Sequence, residues 1–377
     1  MDTPFPFLKL PENVMAKVMI EIDPVQILIF ALKFHAVREA MIKNKILFKI
    51  KSVKWVLSDD TIASLVIEME GRKIYIRVDA DENFDERHQN RNEQMPLKSV
   101  SLKDIPENDL DWHMRVTNIS EVLASAEEEV ENPAELIDLQ MVGVHGMNNL
   151  SKLQRLEILS KVLMSITEVD SFYLATFISG KMNLLDFFNW KVTEEMCTWE
   201  TPKAFREVQF YPTPSADRRQ LLREFAYVQR NVTVEYSQLL VTYPMQGTKF
   251  GEPLTSRISI IMDSDFITLK SLLNSTCEEI HIVYETLNGF VMNAVVRKWI
   301  SGELNNLKVF VGQTFNSFIN RESVFDKLNP IAPTSSAHPK FEPMDGDWDE
   351  ARDVFRPRGS MRATIVLQEK HFKLIIW

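Results

Sequence analysis

Apolar residues near the start of the chain recur at helical spacing, with Val14, Met15, Val18, Met19 and Ile22 on one stripe. Pro11, Glu12 and Asn13 suit the first turn of that helix. Asp23-Pro24 restarts the pattern, because aspartate at an N-cap accepts orphan backbone N–H groups and proline at the first helical position loses no hydrogen bond. The second helix has Val25, Leu28, Ile29 and Leu32 on its face, and Ile27 and Phe30 make it apolar nearly all round. It therefore needs cover on two sides. A unit of about 40 residues does not bury such helices alone, so either a partner covers them or they form the buried edge of a larger domain. A third short helix follows, ending near Lys45.

From Ile46 the period changes to alternation. ILFKIKSVKWVL, TIASLVIEME and RKIYIRVDA, separated by Ser58-Asp59-Asp60 and by Gly71, predict a three-stranded β-meander over 46–80. Lys45, Lys49, Lys51 and Lys54 make its first strand basic, which suits a solvated face that discourages edge pairing better than a nucleic-acid patch. Residues 81–111, centred on DENFDERHQNRNEQ, read as a polar linker or loop. From Trp112 onward strands alternate with helices: IDLQMVG, LSKLQRLEILSKVLMSI, SFYLATFI, ADRRQLLREFAYVQR, VTVEYSQL, ISIIMDS, a short helix around Leu269 to Leu273, CEEIHIVYE, VMNAVVRKWISG and NNLKVFVG. Strand starts roughly 20 to 30 residues apart match leucine-rich-repeat (LRR) spacing, with a degenerate consensus. ATIVLQ and HFKLIIW, facing each other across Glu369-Lys370, predict a C-terminal β-hairpin closed by Trp377. The expected fold class is multidomain α+β: three N-terminal helices over 1–45, a short β-meander, then an α/β LRR-like repeat domain over 112–377 with a C-terminal β-hairpin.

Composition narrows the function. With 45% hydrophobic and 25% charged residues in 377, the chain has enough apolar surface to fold. A net charge of −10 argues against a general nucleic-acid binder. Cys197 and Cys277 form no CxxC pair and no disulfide framework, which points to a reducing compartment. The sequons at Asn118, Asn149, Asn231 and Asn274 read as chance, since no signal peptide is expected before them. Val14 to Phe34 is the most apolar stretch, but Lys17, Glu21, Asp23, Lys33 and Pro24 interrupt it, so no membrane span is expected. The expected location is cytoplasmic or nuclear.

Catalytic and metal signatures are sparse. The closest pair of histidines, His88 and His113, is 25 residues apart, and HExxH, GxxxxGK[ST], GxGxxG and GxSxG are missing. Asp345, Asp347 and Asp349 occupy the first, third and fifth places of an EF-hand loop, but Glu350 stands where glycine is needed and Arg356 where the bidentate glutamate belongs. The run from Ala126 to Glu131 reads as a solvated helix end. Both cysteines read as small buried hydrophobes. No catalytic residue, metal or cofactor is expected; an enzyme built from dispersed Ser, His and Asp would need a deep polar pocket.

Phe5-Pro-Phe-Leu-Lys-Leu-Pro, the helix to Ile22 and Asp23-Pro24 together resemble the F-box of the large nematode F-box families. The resemblance implies an F-box over 1–45 that docks on the Skp-type adaptor, and through it a cullin, of an SCF ubiquitin ligase. Leu10, Pro11, Val14, Val18, Pro24 and Leu28 fall where that motif keeps its adaptor-facing or core positions. In the third helix the chain departs from the family, with Phe34-His35-Ala36-Val37-Arg38 where members often carry a serine and a basic run. VTNISEVLASAEE, LLNSTCEEIHI, VVRKWISGELNNLKVF and DVFRPRGSMRATIVLQEKHFKLIIW resemble the type 2 F-box-associated domain of the same families, with Asp353, Arg356, Gly359, Ala363-Thr364-Ile365 and Trp377 as the matching positions. What the two resemblances imply is a non-enzymatic substrate-recognition subunit that binds an unknown target protein through its C-terminal domain; the alternative is an LRR-like interaction scaffold without a ubiquitination role. In a solenoid the strand-lined face is the expected target surface. Tyr173, Tyr236 and Tyr284, within predicted strands, are its candidate contacts, against the plainer expectation that strand tyrosines are core.

Overall fold

Asp23 stands between two helices and opens the second. Its carboxylate accepts from the backbone N–H of Val25 at 2.9 Å, and the chain folds back as α1 (Glu12–Glu21), α2 (Pro24–Lys33) and α3 (His35–Lys43). Met15, Met19, Val25, Ile27, Leu28, Leu32, Val37 and Met41 are buried among them. Buried Arg38 donates from α3 to the carbonyls of Ala31 (3.0 Å) and Leu32 (3.3 Å), satisfying acceptors that the end of α2 leaves open. The computed structural model describes residues 10–33, 35–58, 63–69, 72–78, 112–118, 139–146, 152–178, 187–188, 191–194, 197–200, 204–213, 216–241, 247–262, 265–284, 288–333, 351–357 and 361–377. They fall into two compact units, Met1–Leu174 with Leu184–Pro202, and Ala175–Asn183 with Lys203–Trp377.

In the first unit the expected meander is present as β1 (Phe48–Ser58), β2 (Ala63–Met69) and β3 (Arg72–Val78), antiparallel with Trp55 opposite Leu65. The sheet extends beyond it: β3 pairs in parallel with β5 (Leu139–Gly146), which pairs antiparallel with β4 (Trp112–Asn118). α4 (Lys152–Ser165) packs on β2 and β3. Trp55 is fully buried, its indole N–H donates to Ser160 of α4 at 2.9 Å, and its ring centroid lies 5.6 Å from that of Phe187. β6 (Thr167–Ile178) follows α4 and passes out of this unit after Leu174, while β7 (Lys191–Glu194) and β8 (Cys197–Glu200) form a separate antiparallel pair.

In the second unit β9 (Ala204–Pro212), β10 (Thr233–Leu240), β11 (Ile258–Met262), β12 (Glu279–Tyr284) and β13 (Val309–Thr314) lie side by side in chain order, all parallel. The connections carry α5 (Arg218–Asn231), α6 (Leu269–Leu273) and α7 (Gly289–Ile300), and α8 (Arg321–Phe325) follows β13. Asp217, Thr268, Asn288 and Asn320 begin these four helices by accepting from backbone N–H groups one turn in. Gly289 is required where α7 starts, because a Cβ there would stand 2.8 Å from the carbonyl oxygen of Asn320. β14 (Arg352–Phe355), β15 (Arg362–Leu367) and β16 (His371–Ile376) complete the sheet antiparallel, in the order β13-β16-β15-β14.

One face of this sheet is closed. Val208, Phe210, Leu239, Ile261, Ile280, Ile282, Phe310, Phe372 and Leu374 are buried, and Phe210 meets Phe225 of α5 edge-on at 5.4 Å. The row on the opposite face, Gln209, Gln238, Ile260, His281, Val311, Lys373 and Val366, stays half-buried strand after strand.

The units cut the chain differently from the expected 1–45, 46–80 and 112–377 divisions. Residues from Trp112 to Leu174 belong with the N-terminal helices and the meander, not with the parallel array. The physical reason is the free edge of β3, whose backbone groups bond β5. The 81–111 linker, the acidic run at 126–131, Asp345, Asp347 and Asp349, Gly359 and the segment from Phe5 to Lys9 lie outside the described residues. Among the described residues, no helix is long and apolar enough to cross a membrane.

Candidate interaction surfaces

The first candidate surface is made by α1 and α2. Met15 and Met19 turn one stripe of α1 into the core, while Val14, one position before Met15, remains 39% exposed, Val18 stays half-buried a turn later, and Leu10 and Pro11 precede them with partial or full exposure. Ile20 is 70% exposed and Phe30, on α2, 39%. Pro24 is half-buried. Leu28 is the exception: it is fully buried among the helices, because it shares the inward stripe with Val25 and Leu32, and it is a core residue, not a partner contact. Asp23 fixes the junction. Its carboxylate pairs with Arg72 of β3. Burial opposes ionisation of Asp23, but the bond from Arg72, the N–H groups of Val25 and Gln26 and the nearby guanidinium charge outweigh it and hold the carboxyl below its usual range.

The second candidate surface is the half-open face of the parallel sheet. Tyr236 of β10 lies on it, with Glu207 opposite on β9 and Ile258 opposite on β11. Burial raises the Tyr236 phenol above its ordinary value, and the Glu207 carboxylate and Tyr211 push it the same way. Gln209 donates to Glu207 at 2.6 Å, so the face carries a polar strip beside the tyrosines. His281 sits in the next row; burial keeps it neutral further into the acid range, Glu279 opposes that shift, and Lys373 adds to it.

Tyr284 does not share this face. It pairs with Thr314 in the row of Ile280 and Ile282, on the closed side of the sheet, and is only 7% exposed. Tyr173 is half-buried in the part of β6 that belongs to the first unit. The structure therefore does not gather the three tyrosines: of them, Tyr236 alone stands on the half-open face of the parallel array, accompanied by Gln209, Gln238 and His281, which the strand alternation could have revealed once β9 was recognised.

The C-terminal positions that carried the family resemblance have structural tasks. Thr364 donates to the buried Asp353 at 2.7 Å, the Trp377 indole N–H donates to Thr364 at 2.7 Å, and the Arg362 guanidinium lies 3.9 Å from the centroid of the Trp377 ring. Arg356 donates to the carbonyl of Trp299 at 2.9 Å and stacks over its ring. These contacts pin the last strand and the end of α7.

No arrangement for nucleophilic catalysis emerges around Cys277. The thiol is buried, and burial raises its pKa although Ser259, Ser275 and Ser256 bond to it. Ser256 bonds Ser237 and Ser259, each at 2.6 Å, so this is a cluster of hydroxyls that satisfy one another in the core. Among the described residues, no group of three or more His, Cys, Asp or Glu side chains is placed to hold a metal ion. Compared with known proteins, the chain matches no family model, no curated protein and no solved structure.

Proposed function

We propose that the chain is the substrate-recognition subunit of an SCF-type E3 ubiquitin ligase, its F-box helices α1 to α3 docking on a Skp-type adaptor and thereby a cullin, its second unit holding a target protein. The observation that carries this reading is the apolar surface the helices leave open: Val14, Ile20 and Phe30 are 39%, 70% and 39% exposed although their neighbours fill a core. The sequence resemblance at Leu10, Pro11, Val14, Val18 and Pro24 falls on the same helices. The five parallel strands in chain order support an LRR-like array in the second unit, whose half-open face around Tyr236 and Gln238 is the target surface. Its mechanism is proximity: a target held at one end meets the transferring subunits at raised local concentration. Proximity labelling with the full chain and with a Val14→Glu, Phe30→Glu variant tests this. The full chain is expected to label adaptor, cullin and targets, and the variant targets alone; a full chain that labels no adaptor contradicts the proposal, and targets whose ubiquitination ignores the variant favour a scaffold.

A further inference from the structure

A groove in the second unit gathers more cationic side chains than its internal contacts use. It encloses about 460 Å³ between one stripe of α5, Arg219, Leu222, Arg223, Ala226 and Arg230, and the segment Gly247 to Glu252. Among the described residues four cations line it, Arg219, Arg223, Arg230 and Lys249, against one carboxylate, Glu252, in a chain whose net charge is −10. Arg230 is matched to Glu252, donating through Nε at 3.2 Å, and Lys249 donates to the carbonyl of Asp265 at 3.0 Å. Arg219 and Arg223 are exposed and one turn apart, and no acidic residue stands three or four positions from either on the helix.

That placement works against the helix. Like charges four apart destabilise an isolated helix, and Arg219 and Arg223 stand at that spacing on α5, Arg219 in the first turn beside the Asp217 cap. Local rules broken without a compensating internal contact mark positions kept for something outside the fold. The opposite wall is rigid. Phe250 is buried, its ring 5.0 Å from that of Phe225 of α5, and its backbone bonds Phe266 and Thr268. Gly247, at φ +75°, makes the turn into that wall, a conformation that other residues adopt only with strain.

We propose that this groove binds a phosphorylated segment of a protein, the phosphoryl group held between Arg219 and Arg223, with the adjoining peptide over Leu222 and Ala226. Guanidinium groups hold phosphoryl oxygens through paired charge-assisted hydrogen bonds, and arginine clusters are a recurrent device for phosphopeptides. A nucleic acid is the poorer fit, because Phe250, the aromatic residue lining the groove, is buried and offers no face on which a base could stack. The inference stands apart from the ligase reading, since it concerns neither α1 to α3 nor an adaptor.

The test is selection by the full chain from a degenerate phosphoserine/phosphothreonine peptide library, from the same library after phosphatase treatment, and from a single-stranded oligonucleotide. The wild-type chain is expected to enrich phosphorylated peptides, and Arg219→Gln, Arg223→Gln to weaken binding of the enriched peptides about tenfold or more. The double variant should keep or raise the melting temperature, since it removes a like-charge pair. Enrichment that ignores phosphatase treatment, undiminished capture by a folded variant, or preferential capture of the oligonucleotide would each overturn the assignment. Should the double variant fail to fold, Arg223→Gln alone, which leaves the first turn intact, supplies the same comparison.

Discussion

Asp23 shows how one side chain serves several levels of the structure: it caps α2 and reaches Arg72 across to the sheet. Asp23→Ala should cost about 1 kcal/mol, the usual worth of an N-cap, with little added by a pair this open to solvent. Because the folded carboxyl titrates below its unfolded value of 3.8, the contribution is complete above that pH and is lost as pH falls through the lower folded value. Urea denaturation of wild type and variant should therefore differ at neutral pH and converge in strong acid. Leu28 and Tyr284, both buried, make the complementary case. Leu28→Ala should cost about 2 to 5 kcal/mol and Tyr284→Ala about 3 kcal/mol or more, whereas Tyr236→Ala, on the half-open face, should cost markedly less. Thermal denaturation that finds Tyr284→Ala harmless would contradict its placement on the closed face. The sequence could not separate these tyrosines because each lies in a strand whose buried face was not yet known; what distinguishes them is register, and register depends on neighbours remote in sequence.

At the scale of elements, periodicity revealed most of what forms. The restart at Asp23-Pro24, the alternation through VKWVL and the helical spacing of ADRRQLLREFAYVQR and VMNAVVRKWISG all act locally, so the helices and the meander were legible. β9 was not, although AFREVQFYP alternates, because Arg206, Glu207 and Gln209 give it the polarity of a loop until β10 pairs with it. The C-terminal hairpin was expected to close the repeat domain, and its turn at Glu369-Lys370 is where the pattern placed it. Its last strand, β16, lies inside the sheet, bonded to β13 on one side and β15 on the other. Deleting 366–377 removes two ladders together with the buried Phe372 and Leu374, and should abolish the cooperative unfolding transition of the second unit. Trp377→Ala removes the indole bond to Thr364 and the stacking of Arg362 but keeps both ladders of β16, and should lower the melting temperature while leaving one transition. Calorimetry of both variants checks this, and a deletion that leaves the transition intact would show β16 to be peripheral.

For the whole molecule, the division into units was the least legible feature, since the strand that moves Trp112 to Leu174 into the first unit does so through a parallel pairing of β3 with β5, more than sixty residues apart. Backbone bonds between distant strands carry no local signature. The resulting molecule has an N-terminal helical surface with apolar side chains left open and a second unit with a half-open sheet face and a cationic groove, which suits a protein that joins partners. Its central claim is the adaptor. Titration calorimetry of the full chain against the purified Skp-type adaptor measures it directly: the account predicts saturable binding, weakened about tenfold or more by Val14→Glu at unchanged melting temperature, whereas a wild-type chain that gives no binding heat and no complex on gel filtration would contradict it.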